Sequence, residues 1–448
     1  MKAYPIYKDS GVPWLGDVPE HWAVRRTKYI LKETDRRSNY GTEQLLSVSQ
    51  YTGVTPRKKK DNSDIVDSRA SSLVGYKVVQ KNDLVINIML AWNGSLGVSP
   101  FSGIVSPAYC IYRFSSEVLP KYYHYLYKTD LYKTTFKTYS TGVVESRLRL
   151  YSDKLGRIES LLPSLDEQQQ ISRYLDWQTS KINKFIKAKK KLIALLKEQK
   201  QNIINEAVTK GINPDVEMKN SGVEWLGKIP KHWDVRKLKH IAAMKSGDNL
   251  TSMEIEEQGQ YPVYGGNGLR GYYHAYNRSG SFLLVGRQGA LCGNVHRVRG
   301  DFWATEHAVV TKLKQGICLD WYYYMLIFMN LNQYSEAAAQ PGISVEKIQN
   351  LRTTVPPQSE QEQIANFIDT ETALIDKTIA RTEREIELIQ EYRTRLVSDV
   401  VTGKVDVRSV DIPDFEPAPA ELEAQDEEES DLSAEQAGDE LITEGIEE

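Results

Sequence analysis

Apolar residues recur at coiled-coil spacing in two stretches of this chain. Ile182, Ile186, Ile193, Leu196, Ile203 and Ala207 lie 4, 7, 3, 7 and 4 residues apart, and the series returns 193 residues later as Ile375, Ile379, Ile386, Ile389, Leu396 and Val400. The opposite faces are charged, as in KAKKK (187–191) and RTEREIE (381–387). Each stretch follows a proline with a serine N-cap, Ser164 or Ser359, and an acidic first turn, Asp166–Glu167 or Glu360. Gly211 and Gly403 stop them at nearly matching places. The pattern predicts two helices of about 40 residues, on the order of 60 Å long at 1.5 Å per residue. Their seams are buried most simply against each other.

The helix starts belong to a wider internal repeat. KDSGVPWLGDVPEHWAVRRTKYI (8–30) and KNSGVEWLGKIPKHWDVRKLKHI (219–241) share 14 of 23 positions, including Trp14/Trp225, His21/His232 and Trp22/Trp233. LLPSLDEQQQISRYLD (161–176) answers TVPPQSEQEQIANFID (354–369). The order is therefore A–x–B–A–y–B, a pseudo-two-fold repeat resembling a homodimer fused into one chain. Trp, Pro and His in the A blocks are expected to dock a loop onto a neighbouring element.

Segments x (about 23–160) and y (about 234–353) are expected to be globular. Both alternate short β-like runs with Gly/Asn turns: DLVINIMLAWNGSLGVS (83–99), SGIVSPAYCIYRF (102–114), SFLLVGRQGALCGNVHRV (281–298) and FWATEHAVVTKL (302–313). Asn93-Gly94-Ser95-Leu96-Gly97 falls where Gln288-Gly289-Ala290-Leu291-Cys292-Gly293 falls, so x and y read as diverged copies of one α/β domain. KYYHYLYKTDLYKTTFKTY (121–139) is expected to form helices packed on the first sheet. The expected division is 1–22, a repeat segment; 23–160, the first α/β domain; 161–212, a long helix; 213–353, the second repeat segment and α/β domain; 354–405, the second long helix; and 406–448, an acidic tail.

Charge sharpens the picture. The net charge of −3 hides a partition: 16 of the 60 acidic residues, and no Lys or Arg, lie from Asp411 onward. The preceding residues hold 44 acids against 57 bases, an excess of about +13 that suits a polyanionic partner. The tail is low in aromatics and is expected to be disordered. Three unclustered cysteines, Cys110, Cys292 and Cys318, suit a reducing cytosol and argue against a disulfide framework or zinc site. No 18-residue apolar run predicts a membrane span, and the first residues have no apolar core of a secretion signal.

Apparent enzyme signatures fail on their chemistry. Gly222-VEWL-Gly227-Lys228 has P-loop spacing, but Ile229 stands where magnesium needs Ser or Thr, and Pro230 interrupts the following helix. Asp215, Glu217 and Lys219 have the letters of a nuclease set but are contiguous in a linker. No catalytic, cofactor or metal-binding residue is assigned. Recognition chemistry is better supplied. Arg, Asn and Gln can pair with guanine and adenine edges, and Lys with phosphates. The candidates are Arg57, Lys58, Lys59, Lys60, Trp92 and Asn93 in x, and Asn267, Arg270, Arg287, Gln288, Asn294, Arg297 and Arg299 in y.

With these motifs assembled, the chain resembles the specificity subunits of type I restriction–modification enzymes over roughly residues 5–405. The resemblance rests on the repeated S-G-V-x-W-L-G…P-x-H-W, the E-Q-x-Q-I helix starts, DLVINIMLAWNGSLGVS…GIVSPAY and YPVYGGNGLRGYY…GRQGALCGNV…FWATEHAVV. It implies two target-recognition domains separated by two antiparallel helices, each domain reading one half of a bipartite site in double-stranded DNA. It also implies two modification subunits that carry S-adenosylmethionine and methylate adenine, and restriction subunits that use ATP and magnesium. The chain itself is then non-catalytic and cytoplasmic. Because x and y differ in length and sequence, the two half-sites should differ. A coiled-coil adaptor between proteins, or a self-sufficient nuclease or methyltransferase, are the competing readings.

Overall fold

The structure is a computed structural model that describes residues 2–50, 52–57, 72–144, 147–289, 291–335 and 342–415. The two predicted long helices form, at Leu165–Lys210 and Gln358–Val401. The chain divides into two compact units, Met1–Lys190 with Arg384–Glu448, and Lys191–Glu383. Each long helix therefore contributes to both.

The two helices pair in opposite directions within each unit. In the second, Lys197 meets Glu383 at 3.9 Å and Lys200 meets Asp376 at 2.6 Å, so partner numbers fall as the other helix advances. In the first, Lys189 meets Glu385 at 2.7 Å. Ile182, Ile186, Ile386, Leu396 and Val400 are buried in the first unit, and Ala207, Ile375 and Ile379 in the second, as the seam requires. Ile204 is buried while its neighbour Ile203 is half-buried, a small rotation of the predicted face.

The helix starts differ in one respect from expectation. Ser164 caps the first helix, its hydroxyl accepting from Glu167 N at 3.3 Å. Ser359 does not cap the second: the helix begins one residue earlier, and Gln361 N donates to the carbonyl of Pro357 at 3.0 Å. Pro357 thus stands at the cap position that Ser164 holds in the first copy, with no side-chain acceptor, and the helix is under way before the serine is reached. Both helices end at a left-handed glycine with φ of +79°, Gly211 and Gly403. A Cβ there would meet the indole of Trp233 or Trp22 at 3.2 or 3.1 Å.

In the first unit a four-stranded antiparallel sheet has the order Leu31–Thr34, Tyr109–Phe114, Leu84–Asn87, Leu96–Val98. The helices Pro120–Tyr127 and Asp130–Tyr139 bury Tyr122, Tyr123, Tyr127, Tyr132 and Phe136. The second unit has a six-stranded sheet in the order Ala242–Ser246, Ala308–Leu313, Arg278–Gly286, Val295–Ala304, Tyr261–Gly265, Gly268–Tyr273. Only the pairing of Tyr261–Gly265 with Val295–Ala304 is parallel. The helix Leu319–Phe328 supplies the buried aromatics Trp321, Tyr322 and Tyr324.

The repeated blocks build one frame twice. Ala23–Arg26 pairs antiparallel with Glu159–Leu162, and Asp234–Lys237 with Arg352–Val355. Tyr7–Asp9 pairs with Asp17–Pro19, and Met218–Asn220 with Lys228–Pro230. Trp22 and Trp233 are fully buried, so the A blocks are packing elements as their composition suggested. Among the described residues no helix is long and apolar enough to cross a membrane.

Candidate nucleic-acid interface

The helix starts hold the frame through equivalent polar residues in both units, with a different aromatic donor to each glutamate. Glu167 accepts from Tyr4 OH at 2.6 Å and lies 2.9 Å from His21 Nε2; Glu360 accepts from Trp233 Nε1 at 2.7 Å and lies 2.6 Å from His232 Nε2. One residue on, Gln168 Oε1 accepts from Leu119 N and Gln361 Oε1 from Cys318 N, each at 2.8 Å. Their amide nitrogens donate to Pro163 O at 2.9 Å and Pro356 O at 2.8 Å. Two turns later Asp176 accepts from Tyr125 OH at 2.6 Å, and Asp369 from Tyr324 OH. The polar letters of the repeated helix start are thus used to fasten each α/β domain to a helix. Burial, then the hydrogen bond to Glu167, pushes the Tyr4 hydroxyl well above its usual pKa, so it stays a donor.

In the second unit three loops meet beside the six-stranded sheet. They are the hairpin tip Gly265–Gly268, the turn from Gly286 to Asn294, and Thr305–His307. A Cβ on Gly266 would lie 3.1 Å from His307 O and 3.4 Å from Gln288 O, and one on Gly286 would lie 2.4 Å from Gly266 O. Only glycine permits that approach. Arg287 N donates to His307 O at 2.8 Å, and Arg287 O accepts from Ile343 N at 3.0 Å. The turn is closed by Gly293 (φ +91°), whose missing side chain lets Asn332 N approach.

The predicted residues of y divide between this cluster and another place. Asn267 sits in the hairpin tip and Arg270 on the following strand, its side chain against Gly265. Gln288 is exposed, and its Oε1 lies 2.9 Å from His307 Nδ1. Arg287 reaches Ser246 Oγ at 3.4 Å, and Asn294 is exposed at the end of the turn. Arg297 and Arg299 instead face the helix Leu319–Phe328. Arg297 bonds Asp320 at 2.9 Å and stacks 4.2 Å above the Tyr323 ring; Arg299 reaches the same carboxylate at 3.5 Å and is 68% exposed.

In x, Lys58, Lys59 and Lys60 lie outside the described residues. Arg57 is exposed just past the strand Gly53–Pro56, its N–H donating to Leu45 O at 2.9 Å. Trp92 is half-buried: its indole N–H donates to Met89 O at 3.1 Å, and Lys137 lies 5.2 Å over its ring. Asn93 Oδ1 accepts from Ser95 N at 3.1 Å and Ser95 Oγ at 3.0 Å, so its side chain shapes its own turn.

Sequence reading missed His296, Glu306 and His307. A Cβ on Gly268 would lie 3.3 Å from Cε1 of the His296 ring, and burial lowers that histidine's pKa against a hydrogen bond to the Gly266 backbone. Glu306 and His307 lie in the turn between Val295–Ala304 and Ala308–Leu313, not within one strand-like run 302–313. Thr-Glu-His between two β-branched runs is a turn signal that could have placed them. No group of three or more His, Cys, Asp or Glu among the described residues could hold a metal ion.

Two α/β units on shared long helices, with divergent loops on an equivalent frame, define the fold class, and the comparisons with known proteins agree. Residues 230–389 match the family model of the type I restriction modification DNA specificity domain. The chain is 48% identical over 136 residues to the type I restriction enzyme EcoprrI specificity subunit of Escherichia coli, which covers 30% of this chain and 34% of that one. It is 23% identical over 430 residues to the MjaVIII specificity subunit of Methanocaldococcus jannaschii, covering 88% of this chain and 95% of the relative. The chain thus spans about a third of the length of the first curated relatives it matches, at 34% and 32%. A solved chain from work on assembly and conformational transition of the type I R-M system superposes with a TM-score of 0.65 at 13% identity, over 87% of this chain and 99% of that one, a likeness of fold. The chain is thus similar to type I restriction–modification specificity subunits, in sequence over these stretches and in fold over most of its length.

Proposed function

We propose that this chain is the non-catalytic DNA-reading subunit of a type I restriction–modification complex. Each α/β unit reads one half of an asymmetric bipartite site in double-stranded DNA, and the paired helices keep the unread spacer constant. Partner modification subunits supply S-adenosylmethionine and methylate adenine in each half-site; restriction subunits supply ATP- and magnesium-dependent cleavage. The observation that carries this reading is the contrast between frame and loops. Glu167/Glu360, Gln168/Gln361 and Asp176/Asp369 do the same work in both units. By contrast, Asn93 and Gln288, at matching places, are held differently. Two copies that keep the frame and diverge in the loops can read two different words.

The test is genome-wide mapping of methylated adenine with and without the chain, then with residues 234–353 exchanged for those of a relative. The expected result is a two-part motif that disappears with the chain, one half of which changes on exchange. Unchanged recognition of both halves after the exchange refutes the modular reading. An adaptor without DNA chemistry predicts no sequence-selective protection and little salt dependence, whereas phosphate contacts weaken steeply with salt.

A further inference from the structure

We propose that Glu306 and His307 are positioning residues that fix the side-chain amide of Gln288 as an adenine-reading group in the second unit. This rests on the chain being a DNA-recognition subunit. The His307 ring stands between two side chains: Nδ1 lies 2.9 Å from Gln288 Oε1, and Nε2 lies 3.2 Å from Glu306 Oε1. The other Glu306 oxygen is buried and meets no donor, a desolvation cost that calls for a reason. Holding the histidine ring in one orientation supplies it.

An exposed glutamine has several rotamers and loses that freedom when it binds. With a hydrogen on both ring nitrogens of His307, Nδ1–H donates to the amide oxygen and Nε2–H to Glu306 Oε1. The amide NH2 therefore points away from the ring, and the oxygen keeps a second lone pair. One donor and one acceptor on the same planar amide match the N7 and N6 groups that adenine presents in the major groove. The support is stiff. Arg287, just before Gln288, is tied through its backbone to His307 and Ile343, and Cys292 Sγ donates to Arg287 O at 3.4 Å. The first unit has no such arrangement at the matching place, because Asn93 Oδ1 is turned onto Ser95.

The experiment uses the full chain and a randomised duplex DNA library, with bound duplexes sequenced. Wild type, Q288A, H307F, E306Q and the double variant Q288A/H307F are compared, each checked for folding by thermal melting. Wild type should enrich two half-sites. Q288A should lose an adenine preference at one base pair of one half-site, by roughly 5- to 150-fold in discrimination. H307F should weaken the same base pair, E306Q should do so by less, and the double variant should match Q288A, because His307 acts through Gln288. H307F was chosen to keep the ring; where it fails to fold, E306Q combined with Q288A gives the same cycle. The proposal is overturned if the histidine and glutamine effects add, if they fall on different base pairs, or if the base lost is not adenine. Wild type enriching no sequence overturns the DNA-recognition reading itself.

Discussion

Trp233 Nε1 donates to Glu360 Oε2 at 2.7 Å, joining the buried tryptophan of a repeated His-Trp pair to the first turn of the second long helix. Replacing Glu360 by Ala leaves a fully buried indole N–H without its acceptor. Hydrogen bonds to charged groups contribute about 1.5–3 kcal/mol. Chemical denaturation should show a loss of that order. Glu360→Gln, which keeps an acceptor, should lose less.

Tyr4 and Glu167 make the corresponding junction in the first unit at 2.6 Å, with Glu167 only 3% exposed in its side chain. The C-terminal segment closes over it: Arg408 lies 4.8 Å over the Tyr4 ring, and Gln170 donates to Val407 O and Val410 O. Tyr4→Phe should therefore destabilise by about 1.5–3 kcal/mol. Truncation after Thr402 should lower the melting temperature further, because it also removes the buried Val407.

His124 is half-buried beside Gly53 and Gly97 and accepts from Val98 N at 3.2 Å. Burial, aided by Lys128 and Lys121, holds its pKa well below the usual 6.5. The unfolded chain then binds a proton near pH 6.5 that the folded chain refuses. Stability from this group is complete above about pH 6.5 and falls as the pH drops below it. Urea midpoints at pH 7.5 and 5.5 should show the decline, and His124→Gln should flatten it at a cost in stability.

The seam and the charged flanks of the long helices should differ sharply on mutation. Ile186 is 7% exposed, so Ile186→Ala should cost about 2–5 kcal/mol. Lys200→Ala removes the 2.6 Å pair to Asp376, but both side chains are partly exposed, and about 0–1 kcal/mol is expected. Equilibrium denaturation of both variants checks the ratio.

Asn93 and Gln288 should separate folding from recognition. Asn93→Ala should reduce stability through the lost Ser95 bonds while leaving sequence preference unchanged, whereas Gln288→Ala should do the converse. Arg299→Ala should weaken binding to all sequences alike and reduce the salt slope by about one if it contacts a phosphate. Affinity measured across a salt series on matched and mismatched duplexes distinguishes these outcomes.

The frame was legible in the chain because it rests on local and repeated signals. The 193-residue shift superposed both helix seams, and the glycine stops fell within a few residues of Lys210 and Val401. Ser359 failed as a cap because Pro357, two residues earlier, already accepts the first helical hydrogen bond, which the serine signal alone does not carry. The recognition loops were legible only as composition. Arg297 and Gln288 look alike as polar residues near glycines, yet one packs on Tyr323 and Asp320 and the other faces His307.

By itself the sequence determined the repeat, the two helices, the basic body and a family resemblance, because periodicity, capping and charge are properties of neighbouring residues. Only the tertiary structure decided that Glu167 and Glu360 hold aromatic donors, that Asn93 serves its own turn, and that Glu306, His307 and Gln288 stand in line. Those relations join residues up to 163 positions apart, and hydrogen-bond geometry over such separations is fixed by the packed sheets and helices between them.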